Sequence, residues 1–277
     1  MKRILVPCDF SAPAQEAFKF AVAIARQSNG VVHVLYVIDV PFLKDNPIMS
    51  HGNVLNLEFM QDIEQKAKEQ FETLRKLNAP PTLSVNFTVD INPLVLSVET
   101  CVREKQIDLV IMGGHSSSDS IWGTNSSKIV RYSQVPVITI RENSHQQIEN
   151  IVVPIGPIQY HESLEKELKK LQAFFNAKIH FLWINTPLIF KTDVESKREM
   201  QHYVQASKFE NYTINVLSDY NVEAGIFRFA KEKKADMIAM GTHAWKGLVR
   251  NLTINITEGV VSHAAFPIWT YDMNQKR

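Results

Sequence analysis

LVIMGGHSSSDSIWGT, residues 109 to 124, opens as a short apolar run, the mark of a buried strand, and breaks at Gly113-Gly114. A serine-rich loop follows, and Gly123-Thr124 then opens a helical pattern, NSSKIVRYSQ. A strand, a loop of small residues and a helix start form a geometry suited to phosphate. Backbone N–H groups converge there, glycine lets an anion approach, and the helix N-terminus adds partial positive charge. Any parallel α/β unit contains such turns, so the motif alone decides little.

A second copy gives it weight. DMIAMGTH from Asp236 matches DLVIMGGH from Asp108 at an offset of 128. ILVPCD, from Ile4 to Asp9, returns as IVVPIG, from Ile151 to Gly156, at an offset of 147. VVHVLYVID returns as KIHFLWINT with His33 on His180, and QVPVITI returns as AFPIWTY with Pro136 on Pro267. The chain is therefore one domain written twice. The fall in offset makes the second copy 19 residues shorter in its middle, a difference expected in the loop from Pro41 to about Asn56.

With 277 residues, two domains of ordinary size can each bury a core. A net charge of +1 points to neither nucleic acid nor an acidic membrane as partner. Only Cys8 and Cys101 occur, both in apolar segments, which suits reduced thiols and a cytoplasmic chain. The start runs straight into a strand, with no apolar signal region and no bilayer-spanning stretch elsewhere.

Taken in order, strands are expected at Ile4–Pro7, Val31–Ile38, Leu83–Val89, Leu109–Met112 and Val135–Ile140, and again at 151–154, 178–184, 212–217, 237–240 and 267–271. Helices are expected between them. Ser11 serves as N-cap with Pro13 inside the first turn, Asn29-Gly30 stops that helix, and Asn92-Pro93 starts another. Helices over Glu58–Leu77 and at about 160–175, 194–210, 222–233 and 255–263 complete the alternation. The fold class is α/β, two tandem doubly wound five-stranded parallel sheets. Ligands of such sheets bind at the carboxyl ends of the strands, near the topological switch. Asp9, Val37 and the Gly113 loop lie on that edge.

The ordered set ILVPCDFS, HVLYVID, DLVIMGGH and GTNSSKIVRYSQVPVITI resembles the universal stress protein family in its tandem form, over nearly the whole chain. The resemblance implies Rossmann-like domains of the adenine nucleotide α-hydrolase type at 1–143 and 147–277, packed as a pseudo-dimer through antiparallel last strands. It also allows a homodimer of the whole chain. Many members bind ATP through G-x2-G-x9-G-[ST]. Carried over by position, the ATP-binding residues are Pro7, Cys8, Asp9, Val37, Met112, Gly113, Ser116, Gly123, Thr124 and Asn125.

Departures bound that transfer. In the first half Ser116 replaces the second glycine, and six residues rather than nine precede Gly123. In the second half Gly156 replaces the aspartate, Ala244 the second glycine, and Ile254-Asn255 the Gly-Ser pair. A β-branched residue at a phosphate turn blocks close approach. ATP or AMP is therefore expected in the first domain alone, with no metal beyond one accompanying the nucleotide.

Each of these residues also has a plainer role open to it. Asp9 can cap the turn into the first helix, Gly113 and Gly241 can serve tight turns, and His33 and His180 can be satisfied strand histidines. Enzyme signatures are missing: there is no P-loop, no G-x-S-x-G elbow, no H-E-x-x-H and no paired C-x-x-C, so no catalytic residue is assigned. Three readings follow. The first is a stress-response regulator that binds adenine nucleotide, with protein partners still to be named. The second is a nucleotide-free interaction scaffold with both pockets degenerate. The third, a small-molecule hydrolase or transferase, lacks an acid–base or metal set.

Overall fold

The computed structural model describes residues 1–38, 57–114, 129–131, 133–141, 147–156, 161–187, 190–242, 257, 259–261 and 266–273. They form two compact units, one on each half of the chain. The first unit runs β1 (Arg3–Pro7), α1 (Ala12–Ser28), β2 (Val31–Val37), α2 (Leu57–Asn78), β3 (Val85–Asp90), α3 (Leu94–Glu104), β4 (Leu109–Gly113) and β5 (Val137–Ile140). Its strands lie in the order β3-β2-β1-β4-β5, every pair parallel. Ile4 and Leu5 of β1 and Val110 and Ile111 of β4 have no solvent exposure. Burial on both faces explains why these strands read as unbroken apolar runs.

The second unit repeats the plan: β6 (Asn150–Pro154), α4 (Glu162–Phe175), β7 (Lys178–Asn185), α5 (Asp193–Ala206), β8 (Tyr212–Ser218), α6 (Val222–Glu232), β9 (Met237–Thr242) and β10 (Ile268–Asp272). Its strand order is β8-β7-β6-β9-β10, again parallel throughout. One repeated residue is structural in both units. Asp108 Oδ2 accepts the backbone N–H groups of Lys2 and Arg3, each at 2.9 Å, and so pins the start of β1. Asp236 Oδ2 does the same for Glu149 and Asn150 at 2.9 and 2.8 Å.

Helix ends follow local chemistry. Asn29 closes α1 in the left-handed region and donates its N–H to Ala25 O, and Asn176 closes α4 in the same way. Thr192 and Glu195 form a capping box at the start of α5. Two expectations need correction. Pro93 occupies the N-cap itself, and Asn92 donates back to Asp90 Oδ1 at 2.8 Å instead of capping α3. The length difference between the halves does not sit in one loop either, because α2 has 22 residues and α5 has 14. Among the described residues no helix is long and apolar enough to cross a membrane.

Candidate functional site

In the first unit the strand order reverses between β1 and β4, and a cavity of about 190 Å³ opens at the carboxyl ends of β1, β2 and β4. Pro7, Cys8 and Asp9 form one side, Leu35 and Val37 another, and Met112 with Gly113 a third. Ser11 and Ala14 of the α1 start and Leu94 of the α3 start complete it. The structure thus brings together six of the ten residues named above. Ser116, Gly123, Thr124 and Asn125 lie outside the described residues.

Asp9 is exposed at the rim. Its Oδ1 accepts the Ser11 backbone N–H at 3.0 Å and the Ser11 hydroxyl at 2.5 Å, and Oδ2 accepts from none of the described residues. Ser11 occupies the N-cap position of α1, yet its hydroxyl turns to Asp9 instead of capping the helix. Phe10, between them, adopts φ 62, a left-handed conformation unusual for a bulky side chain. It is held there by stacking on Tyr36 at 5.5 Å and by Gln15 Nε2, which donates to its carbonyl at 2.8 Å. Burial, and then the Asp9 charge, raises the Tyr36 phenol above its ordinary range. Cys8 is buried, and that burial pushes its thiol up to about 11, so it stays protonated and lines the cavity as a small apolar group.

Val37 contributes backbone. The Cys8 N–H donates to Leu35 O at 2.9 Å, whereas the Ile38 N–H donates to Asp90 O at 2.8 Å on the opposite side of β2. Peptide groups alternate along a strand, so Val37 turns its N–H and C=O to the β1 side. The paired register of β1 ends at Pro7, opposite Leu35. The Val37 groups therefore face the cavity with no backbone partner from β1, one donor and one acceptor.

Gly113 is required by close approach. A Cβ there would stand 2.6 Å from the Pro13 carbonyl carbon and 2.7 Å from the Ala14 nitrogen, both backbone atoms of α1. The first turn of α1 therefore rests directly on the end of β4, beside the cavity. This packing duty explains the glycine whether or not a ligand is present.

The matching place in the second unit is nearly filled. Its cavity is about 30 Å³, lined by Val153, Pro154, Ile155, Gly156, His161, Leu164, Leu168, Tyr203, Gly241 and Met273. Ala14, Ala17 and Ala21 on α1 correspond, at the offset of 147, to His161, Leu164 and Leu168. A Cβ on Gly241 would lie 2.8 Å from Met273 Sδ and 3.0 Å from Leu164 Cδ2, side-chain ends in place of helix backbone. With Gly156 in the aspartate's place, the rim also lacks a carboxylate.

Sequence reading missed Ser11, Ala14, Leu35 and Leu94 as lining residues. For Ala14 a signal was present: the two copies set beside each other show small residues on α1 against large ones on α4. Leu35 and Leu94 offered none, since apolar residues there read equally well as core.

Comparison with known proteins agrees with this architecture. The model of the universal stress protein family matches residues 1–141 and again 147–271. A universal stress protein of Methanocaldococcus jannaschii is 26% identical over 157 residues, covering 52% of this chain and 97% of that protein. A second from the same organism is 20% identical over 144 residues, covering 51% of this chain and 82% of that protein. Among solved structures, a universal stress protein from Archaeoglobus fulgidus superimposes with a TM-score of 0.74 at 15% identity, covering 98% of this chain and 96% of that one. Two family domains in one chain, each with the family's fold, lead to one statement: the chain belongs to the universal stress protein family.

Proposed function

We propose that the first unit binds an adenine nucleotide, ATP or AMP, and that the protein acts as a stress-response regulator that senses this ligand without turning it over. The carrying observation is the open cavity at the switch point, with an exposed carboxylate on one wall and, on another, Val37 peptide groups that no described residue pairs. The base sits against Leu35 and Met112 and bonds Val37. Asp9 Oδ2 accepts a ribose hydroxyl, which donates. At about 190 Å³ the cavity is smaller than the ~300–1,000 Å³ of ordinary ligand pockets, so it takes base and sugar only. The phosphates are left to the loop that the family pattern assigns by position to Ser116, Gly123, Thr124 and Asn125, outside the described residues. The binding domain is residues 1–143, and residues 147–277 are a filled copy.

A second reading, a nucleotide-free interaction scaffold, is favoured by Ser116 and the six-residue spacing, and by the bond of Asp9 to Ser11. One experiment separates the two. Freshly purified protein is denatured and its released small molecules are separated, and ATP is titrated calorimetrically into wild type and Asp9→Ala. The nucleotide reading expects bound adenine nucleotide or measurable heat, weakened roughly tenfold to a hundredfold in the variant by loss of a charge-assisted bond. No released nucleotide and no heat even at millimolar ATP would leave the scaffold.

A further inference from the structure

Strand β8 is an edge strand, and its own residues supply neither the charge nor the proline that commonly keeps an edge from pairing. Its seven residues, YTINVLS, include no charge and no proline. The Ile179 N–H donates to Asn211 O at 3.0 Å and the Asp219 N–H to Asn185 O at 2.9 Å, so odd-numbered residues of β8 face β7. Tyr212, Ile214, Val216 and Ser218 therefore turn their N–H and C=O groups outward. Among the described residues only the Ser218 carbonyl is taken, by Arg228 Nη2 at 2.7 Å. Six backbone groups, on Tyr212, Ile214 and Val216, are left along the open edge.

We infer that this edge pairs antiparallel with β8 of a second copy of the chain. Outward residues can bond only to outward residues, and one register uses all three. Tyr212 then meets Val216 of the other copy, Ile214 meets Ile214, and all six groups are satisfied about a two-fold axis. That register also brings the Lys208–Asn211 corner of each copy against the Ser218–Tyr220 corner of the other. Lys208 and Glu210 on one corner then meet the Asp219–Arg228 ion pair, 2.9 Å apart, on the other, so each side brings one charge of either sign. Tyr220, 90% exposed, gains a neighbour there.

The test is sedimentation equilibrium of the full chain from about 1 to about 100 µM. A dimer is expected. Val216→Pro removes an outward N–H while leaving the β7 ladder intact, and Glu210→Arg sets like charges against Arg228 at both ends of the interface. Each should raise the dissociation constant roughly tenfold or more, since the two-fold axis repeats every change. If circular dichroism shows Val216→Pro unfolded, Glu210→Arg, an exposed change, decides alone. A wild-type monomer throughout the range, or a dimer indifferent to the variants that fold, would overturn the inference.

Discussion

At the carboxyl ends of their central strands the two units start from the same backbone and end differently. In the first, the backbone of α1 lies on Gly113, alanine faces the crevice at position 14, and a cavity of about 190 Å³ remains beside Asp9. In the second, Leu164 and Met273 reach Gly241, His161 stands where Ala14 would be, and about 30 Å³ is left. A further exchange follows the same logic. Ile184 rests against Gly225, whose added Cβ would lie 2.9 Å from its Cδ1, whereas the first copy has Val37 and Ser97 at those positions. One fold thus supports an open crevice or a packed plug, and side-chain volume at the start of the first helix, with Met273 after the last strand of the second unit, decides which.

The comparison breaks most directly by converting the first unit toward the second. Ala14 is buried and lines the cavity, so Ala14→Leu projects three extra carbons into empty space. Nucleotide affinity should fall by about a hundredfold or more, while the melting temperature moves only a few degrees, because no packed group is displaced. Calorimetry and thermal melts on the same preparation measure both. Unchanged affinity would place the ligand elsewhere.

The two glycines sharpen the contrast next. Gly113→Ala drives a methyl into the Pro13 and Ala14 backbone, which cannot yield without moving α1, and should cost about 2–3 kcal/mol. Gly241→Ala meets the thioether end of Met273 and a methyl of Leu164, both able to rotate away, and should cost about 1 kcal/mol or less. Denaturant unfolding of the full-length variants compares them. Equal costs would mean that the same contact, not two different ones, demands glycine in both halves.

How much of this was legible depends on what each residue answers to. Strand β1 was readable because burial on both faces leaves an unbroken apolar run. The repeat was readable because the same residue types recur at Asp108 and Asp236, which make the same bonds, and at Gly113 and Gly241, which do not share a contact. Asp9 was readable as a rim carboxylate, but its bond to Ser11 was not. A serine before a helix signals a cap, and only the three-dimensional turn at Phe10 sends its hydroxyl the other way. Val37 contributes through its peptide groups, whose direction depends on the register with β1 and β3, a long-range quantity absent from local sequence. The division of the 19 missing residues between loop and helix was hidden for a related reason: α2 and α5 differ in length while both keep helical periodicity.

The smallest expected effect concerns the paired histidines. His180 is buried, with Nδ1 2.7 Å from Thr213 Oγ1 and Nε2 3.2 Å from Asn150 Oδ1. Burial first, and then Lys178 and Lys233, lower its pKa from the ordinary 6.5. His33 is lowered too, by burial and then by Lys105 and Arg3, but it is only partly buried. When the folded pKa of a base lies below the unfolded value, the unfolded chain takes the proton first. The associated stability is complete above 6.5 and declines as the pH falls below it. Urea midpoints measured from pH 8 to pH 5 should therefore drop on the acid side, and His180→Gln should flatten that drop more than His33→Gln. An equal flattening by both variants would mean that burial, the feature separating the two histidines, does not govern the proton.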